Sequence, residues 1–167
     1  MAYDFSRLRI LVVDDNVFMR RLLRDLLRSV SVKNENIREA FDGDSGLTAM
    51  RVGSTDLIIS DLNMDPVDGT TLIRNIRWSE GGWDQFVPII VCTGHSESRH
   101  ILGARDAGAT EILRKPFTAK SLYHRIQVII EKPRPFIRTD DFIGPDRRRQ
   151  DLPFKGEDRR KSSDIDI

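Results

Sequence analysis

The sequence predicts a doubly wound α/β domain, a five-stranded parallel sheet with helices on both faces. Three observations predict it. Five short apolar runs fall between residues 8 and 131. Segments of helical spacing separate them in strict alternation, the pattern of parallel strands joined by crossover helices. The total of 167 residues suits one domain of ordinary size with an appendage.

The apolar runs, at 8–13, 37–41, 57–60, 89–93 and 111–113, read as buried strands. The first helix follows the first run. Phe18, Leu22, Leu26 and Val30 form one stripe with Met19, Leu23 and Leu27 beside it, while Arg20, Arg21, Arg24, Asp25 and Arg28 cover the other face. Further helices are expected at 45–51, 70–78, 97–106 and 118–131. Crossovers in such a sheet are right-handed. Residues 1–7 are a lead-in and 8–131 the domain.

At Pro133 the pattern stops, and residues 132–167 are expected to be a disordered, charged tail. From 133 onward the chain holds four of its seven prolines and 17 charged residues among 35. Its apolar residues come singly or in pairs, too few to offset the entropy of ordering. The tail contains a repeat: Phe142-Ile143-Gly144-Pro145-Asp146-Arg147-Arg148-Arg149 recurs twelve residues later as Phe154-Lys155-Gly156-Glu157-Asp158-Arg159-Arg160-Lys161. Two such short copies do not make a solenoid and look like tandem docking motifs.

Composition excludes several classes. With 27 Lys+Arg against 26 Asp+Glu, the net charge of +1 rules out attachment to nucleic acid or membrane by bulk charge. The basic triplets at 147–149 and 159–161 have acidic neighbours in Asp146, Glu157 and Asp158, which blunt any attraction to phosphates, so no nucleic-acid partner is expected. Apolar runs such as Ile10-Leu11-Val12-Val13 fall far short of the ~18 residues that span a bilayer. The single Cys92 excludes a disulfide framework, and a start carrying Tyr3, Asp4 and Arg7 does not resemble a signal peptide. A cytoplasmic protein is expected, with no membrane partner.

Ligands of open parallel sheets bind beyond the carboxyl ends of the strands. There the sequence places Asp14 and Asp15 after strand 1, Asp61 and then Asn63 after strand 3, Thr93-Gly94 at the end of strand 4, and Lys115-Pro116 after strand 5. Three converging carboxylates repel and need a counter-charge, which a hard divalent ion such as Mg²⁺ supplies. Lys115 can neutralise a phosphate from the other side and Thr93 can donate a hydroxyl to it. Asp61, in the middle, is placed to be a nucleophile that accepts a phosphoryl group. Asp14 and Asp15 could alternatively cap the first helix, and Asp68-Gly69 reads as turn and cap chemistry.

These residues resemble the receiver domain of bacterial two-component response regulators. The resemblance rests on Leu11-Val12-Val13-Asp14-Asp15, Ser60-Asp61-Leu62-Asn63-Met64-Asp65-Pro66-Val67-Asp68-Gly69, Val91-Cys92-Thr93-Gly94, Ala107-Gly108-Ala109 and Arg114-Lys115-Pro116-Phe117. It implies a flavodoxin-like receiver fold of the stand-alone, chemotaxis-regulator type. It further implies that Asp61 is the phospho-acceptor, served by a sensor histidine kinase or histidine phosphotransfer protein. Asp15, Asp61 and the backbone carbonyl of Asn63 would ligate Mg²⁺, with Asp14 acting through a water. Thr93 would be the switch hydroxyl, Lys115 would pair with the phosphoryl group, and Lys115-Pro116 would be a cis peptide. Asn63 and His95 would sit where the family tunes the acyl-phosphate lifetime.

One position departs from the family. Receivers commonly carry an aromatic three residues before the lysine, and this chain has Ile112. The expected function is a phosphorylation-controlled signalling protein without a DNA-binding output domain, switching an unidentified protein partner through the face around helix 4, strand 5 and helix 5. It is not expected to be an enzyme beyond its own phosphorylation and dephosphorylation. Two alternatives compete: an interaction module acting through its tail, and a Mg²⁺-dependent phosphohydrolase. The haloacid-dehalogenase type of the latter wants an Asp two residues after its nucleophile, where this chain has Asn63.

Overall fold

The computed structural model describes residues 4–94 and 98–147. In chain order the elements are β1 (Ile10–Val13), α1 (Val17–Ser29), β2 (Ile37–Ala40), α2 (Gly43–Val52), β3 (Leu57–Asp61), α3 (Gly69–Trp78), β4 (Ile89–Thr93), α4 (Ser98–Ala107), β5 (Glu111–Arg114) and α5 (Ala119–Glu131). The five strands form one parallel sheet in the order β2-β1-β3-β4-β5. The doubly wound fold expected from the apolar runs is the fold observed.

Alternate residues of the central strands serve two cores. Leu11, Val13, Ile58, Ile89 and Val91 pack against Leu72, Ile73 and Ile76 of α3 and Ala104 of α4. Ile10, Val12, Ile59, Ile90 and Leu113 pack against Leu23 and Leu27 of α1 and Leu122 and Ile126 of α5. Polar side chains start the helices: Asn16, Asp42, Asp68 and Thr118 each accept from the main-chain N–H groups of the first turn. Asp14 and Asp15 are therefore not the cap of α1.

The stripe expected on α1 is rotated. Leu23 and Leu27 are buried, whereas Phe18 is 74% exposed and Leu22 45% exposed. Seven apolar residues span too wide an arc for spacing alone to select the inward face, and packing against the sheet and α5 selects it.

The expected tail needs a larger correction. Residues 136–145 form an antiparallel hairpin of β6 (Phe136–Arg138) and β7 (Ile143–Pro145), docked beside α3 and the end of α4. Ile143 is 1% exposed. Gly108 takes a positive φ of 111° and a Cβ there would strike the Ile143 carbonyl, so only glycine allows β7 this close. Arg134 pairs with Glu111 at 2.8 Å and Arg147 with Asp106 at 2.9 Å. The isolated apolar residues of this segment gain burial only on a surface supplied by the domain, which their own spacing does not reveal. The first copy of the repeat, as far as Arg147, is thus part of the fold. Residues 148–167, including the second copy, lie outside the described residues.

The hairpin is anchored on Arg77 of α3, which is fully buried. Its guanidinium donates to the carbonyls of Gly108, Gln85 and Val87 at 2.7–3.1 Å, and the Phe136 ring lies over it at 4.9 Å. Burial pushes its pKa down to about 10, so the group is still a cation at neutral pH.

Candidate functional site

The order β2-β1-β3 means that the chain leaves β1 toward one edge and returns to its other side for β3, opening a crevice at their carboxyl ends. In the ladder Val13 lies opposite Ser60, so the next residues, Asp14 and Asp61, come side by side. On the other flank Asp61 is opposite Cys92, which puts Thr93 just beyond it. Thr93 in turn faces Arg114, and the Lys115 N–H donates to the Thr93 carbonyl at 2.9 Å.

Carboxylate oxygens of Asp14, Asp15 and Asp61 all lie within 4.8 Å of one another. The Lys115 Nζ sits 3.3 Å from Asp61 Oδ1 and 3.6 Å from Asp14 Oδ2. Asp14, Asp61 and Thr93 are buried, while Asp15 and Asn63 open to solvent. Asp14 Oδ1 accepts the Asn16 N–H at 2.9 Å, but its buried Oδ2 has no hydrogen-bond partner. Three carboxylates with one orphaned oxygen and a single ammonium leave negative charge in excess, a donor set that fits a hard divalent cation. Two local features hold the acceptor loop. Asp68 caps α3, and Gly69 packs so closely on the Asp61 carbonyl that no Cβ could enter. The Lys115-Pro116 peptide is cis as the resemblance implies, and Asp65-Pro66 is cis as well.

All of Asp14, Asp15, Asp61, Thr93 and Lys115 meet at this edge, with Asn63 on the loop directly after Asp61. His95 lies outside the described residues. Cys92 is buried and desolvation pushes its thiol up to about 12, consistent with an inert core residue. The sequence reading missed Arg20, whose guanidinium donates to the Asp14 carbonyl at 2.6 Å and pairs with Glu39 at 3.6 Å. It also missed Val17, Phe18 and Leu22, which leave an apolar surface on α1 just after Asp15. No sequence signal separates these three from core residues.

Burial, reinforced by Asp61 and Asp15, raises the Asp14 pKa above its ordinary 3.8, against the Asn16 N–H and Lys115, which lower it. The folded chain therefore holds this proton more tightly than the unfolded one. The associated stability is present below 3.8 and is lost as pH rises through the raised value. Asp14→Asn is expected to stabilise the metal-free protein at neutral pH and to flatten this part of its pH dependence. Urea denaturation in chelator between pH 3 and 8 checks this, and equal midpoints for the two proteins at pH 7 would contradict it.

A partly buried acidic cluster left short of positive charge fits a cation supplied from outside, and signalling receivers are the class of domain that uses one at this edge. The chain belongs to the response regulator receiver domain family, which matches residues 10–127. It is 34% identical over 127 residues to the chemotaxis protein CheY-3 of Vibrio cholerae, covering 76% of this chain and 95% of that protein. It is likewise 34% identical over 125 residues to the chemotaxis protein CheY of Pseudomonas aeruginosa, covering 75% and 98%. Among solved structures, Vibrio cholerae CheY4 superposes with a TM-score of 0.64 at 27% identity, over 72% of this chain and 96% of that one. The receiver domain of a Pseudomonas aeruginosa sensor histidine kinase, with a magnesium ion coordinated in its active-site cleft, superposes with 0.63 at 28% identity, over 71% and 93%. Membership makes phosphorylation-controlled signalling the function class, and receiver domains interact with histidine kinases or phosphotransfer proteins. No helix among the described residues is long and apolar enough to cross a membrane.

Proposed function

We propose that this chain accepts a phosphoryl group on Asp61 from a histidine kinase or phosphotransfer protein and thereby switches its affinity for a protein partner. The observation that carries the reading is Asp61 at the centre of the carboxyl edge, with Lys115 Nζ at 3.3 Å and two further carboxylates beside it. In the transfer an Asp61 carboxylate oxygen forms the new P–O bond while the P–N bond of the donor phosphohistidine breaks, and the imidazole departs with its bonding pair. Lys115 is within reach to pair with the transferred oxygens, and the Thr93 hydroxyl is positioned one strand away to move toward them. Asp15, Asp61 and the Asn63 carbonyl would hold Mg²⁺ directly and Asp14 through a water. When bound, the ion supplies positive charge to the phosphoryl oxygens and offsets the repulsion among the carboxylates. The exposed Val17, Phe18 and Leu22 offer the donor an apolar docking surface beside the acceptor.

On this reading the chain is a stoichiometric switch rather than an enzyme on external substrates, acting by protein contact rather than on nucleic acid. A cytoplasmic setting belongs to the proposal, supported by the free thiol of Cys92. Ile112, half-buried against the α3–α4 core, stands on β5 opposite Val91 and two residues from Thr93's partner Arg114. A shift of Thr93 would reach the α4–β5–α5 face through this strand, with an aliphatic residue in place of an aromatic one.

Incubation with acetyl phosphate followed by intact-mass spectrometry tests the reading. One added phosphoryl group is expected, dependent on Mg²⁺ and mapping to the peptide that contains Asp61 after borohydride trapping. An adduct on another residue, or none in folded protein beside a receiver that labels, would overturn it.

A further inference from the structure

A groove of about 280 Å³ runs between α4 and β5, which is an edge strand of the sheet. Ile101, Arg105, Glu111, Ile112, Arg114 and Arg125 line it. Glu111 is engaged twice, by Arg125 at 2.9 Å and by Arg134 at 2.8 Å, the latter carried on the segment leading into the hairpin. Arg105 and Arg114 have no ion-pair partner among the described residues. The surface next to the groove carries Leu102, 53% exposed. The groove thus sets half-buried Ile101 and Ile112 beside the exposed arginines Arg105 and Arg114, and it fits an acidic segment with aliphatic side chains.

We propose that residues 164–167 of this same chain, Asp164-Ile165-Asp166-Ile167, occupy this groove. Their aspartates would meet Arg105 and Arg114, and their isoleucines would meet Ile101 and Ile112. Charge selects this segment within the tail: the second copy of the repeat ends in Arg159-Arg160-Lys161, which two unpaired arginines would repel. The connection is long enough. Arg147 lines the adjoining pocket, which shares Arg105, Glu111 and Ile112 with the groove. Asp164 follows Arg147 by 17 residues in the sequence, more than enough chain to reach the adjoining groove. A segment so tethered acts at an effective concentration near millimolar, so a weak intrinsic affinity is enough to fill the seat.

The full chain with methyl-labelled isoleucine tests this by NMR. Replacing Asp164, Ile165, Asp166 and Ile167 together by serine is expected to shift the Ile101 and Ile112 methyl resonances. Arg105→Glu with Arg114→Glu, keeping the native tail, is expected to move Ile112 the same way. A synthetic peptide of residues 162–167 should then bind the serine-tailed chain at least tenfold more tightly than the native chain. Unchanged Ile101 and Ile112 resonances on rewriting the tail would overturn the proposal. So would equal peptide affinity for both chains, or shifts that depend on protein concentration, which would mean a second copy fills the seat.

Discussion

With asparagine in place of Asp61, incorporation of a phosphoryl group from acetyl phosphate is expected to fall by at least about 1000-fold, the scale of losing a nucleophile that nothing else replaces. Asparagine keeps the shape of the side chain at the end of β3 but removes the anionic oxygen that must form the P–O bond. Neither remaining carboxylate is a substitute. Asp14 is buried, holds the Asn16 N–H and has its pKa raised, and Asp15 stands at the exposed end of the cluster. The substitution also removes one of the charges that raise Asp14, so the variant should fold at least as stably as the parent. Intact-mass time courses with matched thermal melts read both effects. Labelling at the parental rate would move the acceptor to Asp14 or Asp15 and end the assignment of Asp61.

Arg77→Met is expected to cost about 3–5 kcal/mol of folding stability, the range seen when a buried charged hydrogen-bonding hub is truncated. Methionine fills a similar volume but leaves the carbonyls of Gly108, Gln85 and Val87 unpaired in the interior, each at about 1–3 kcal/mol. It also removes the cation beneath the Phe136 ring and with it one anchor of the hairpin. Arg77→Lys should fall between the two, since an ammonium cannot span three carbonyls on separate segments. Urea denaturation followed by tryptophan fluorescence measures the loss, and hydrogen exchange at residues 136–145 shows whether the hairpin loosens first. A cost below about 1 kcal/mol for methionine would refute the hub, because it would mean that water satisfies these carbonyls.

How far the sequence can be read depends on the range of the interactions involved. The carboxyl-edge site was legible because each member is tied to a strand end: Asp14 and Asp15 follow Val13, Asp61 ends β3, Thr93 ends β4 and Lys115 follows β5. Once the strands are parallel, those ends must share one edge. The inward face of α1 was not legible, because Phe18, Leu22, Leu23 and Leu27 are all apolar and only contact with the sheet and α5 decides among them. The role of Arg77 was not legible either, since its partners lie 8 to 31 residues away in sequence.

By itself, then, the sequence determined the parallel α/β sheet, the order in which the acidic cluster, hydroxyl and lysine arrive, and the cap that starts α3. These follow from period, from strand-end position and from hydrogen bonds spanning three or four residues. Only the tertiary structure decided that residues 136–145 are a docked hairpin rather than disordered chain. Phe136, Ile143 and Pro145 become apolar neighbours only after antiparallel pairing, and their burial exists only on a surface formed by Gly108, Arg77 and Phe86. Local pattern cannot report a stabilisation that is supplied by residues distant in sequence.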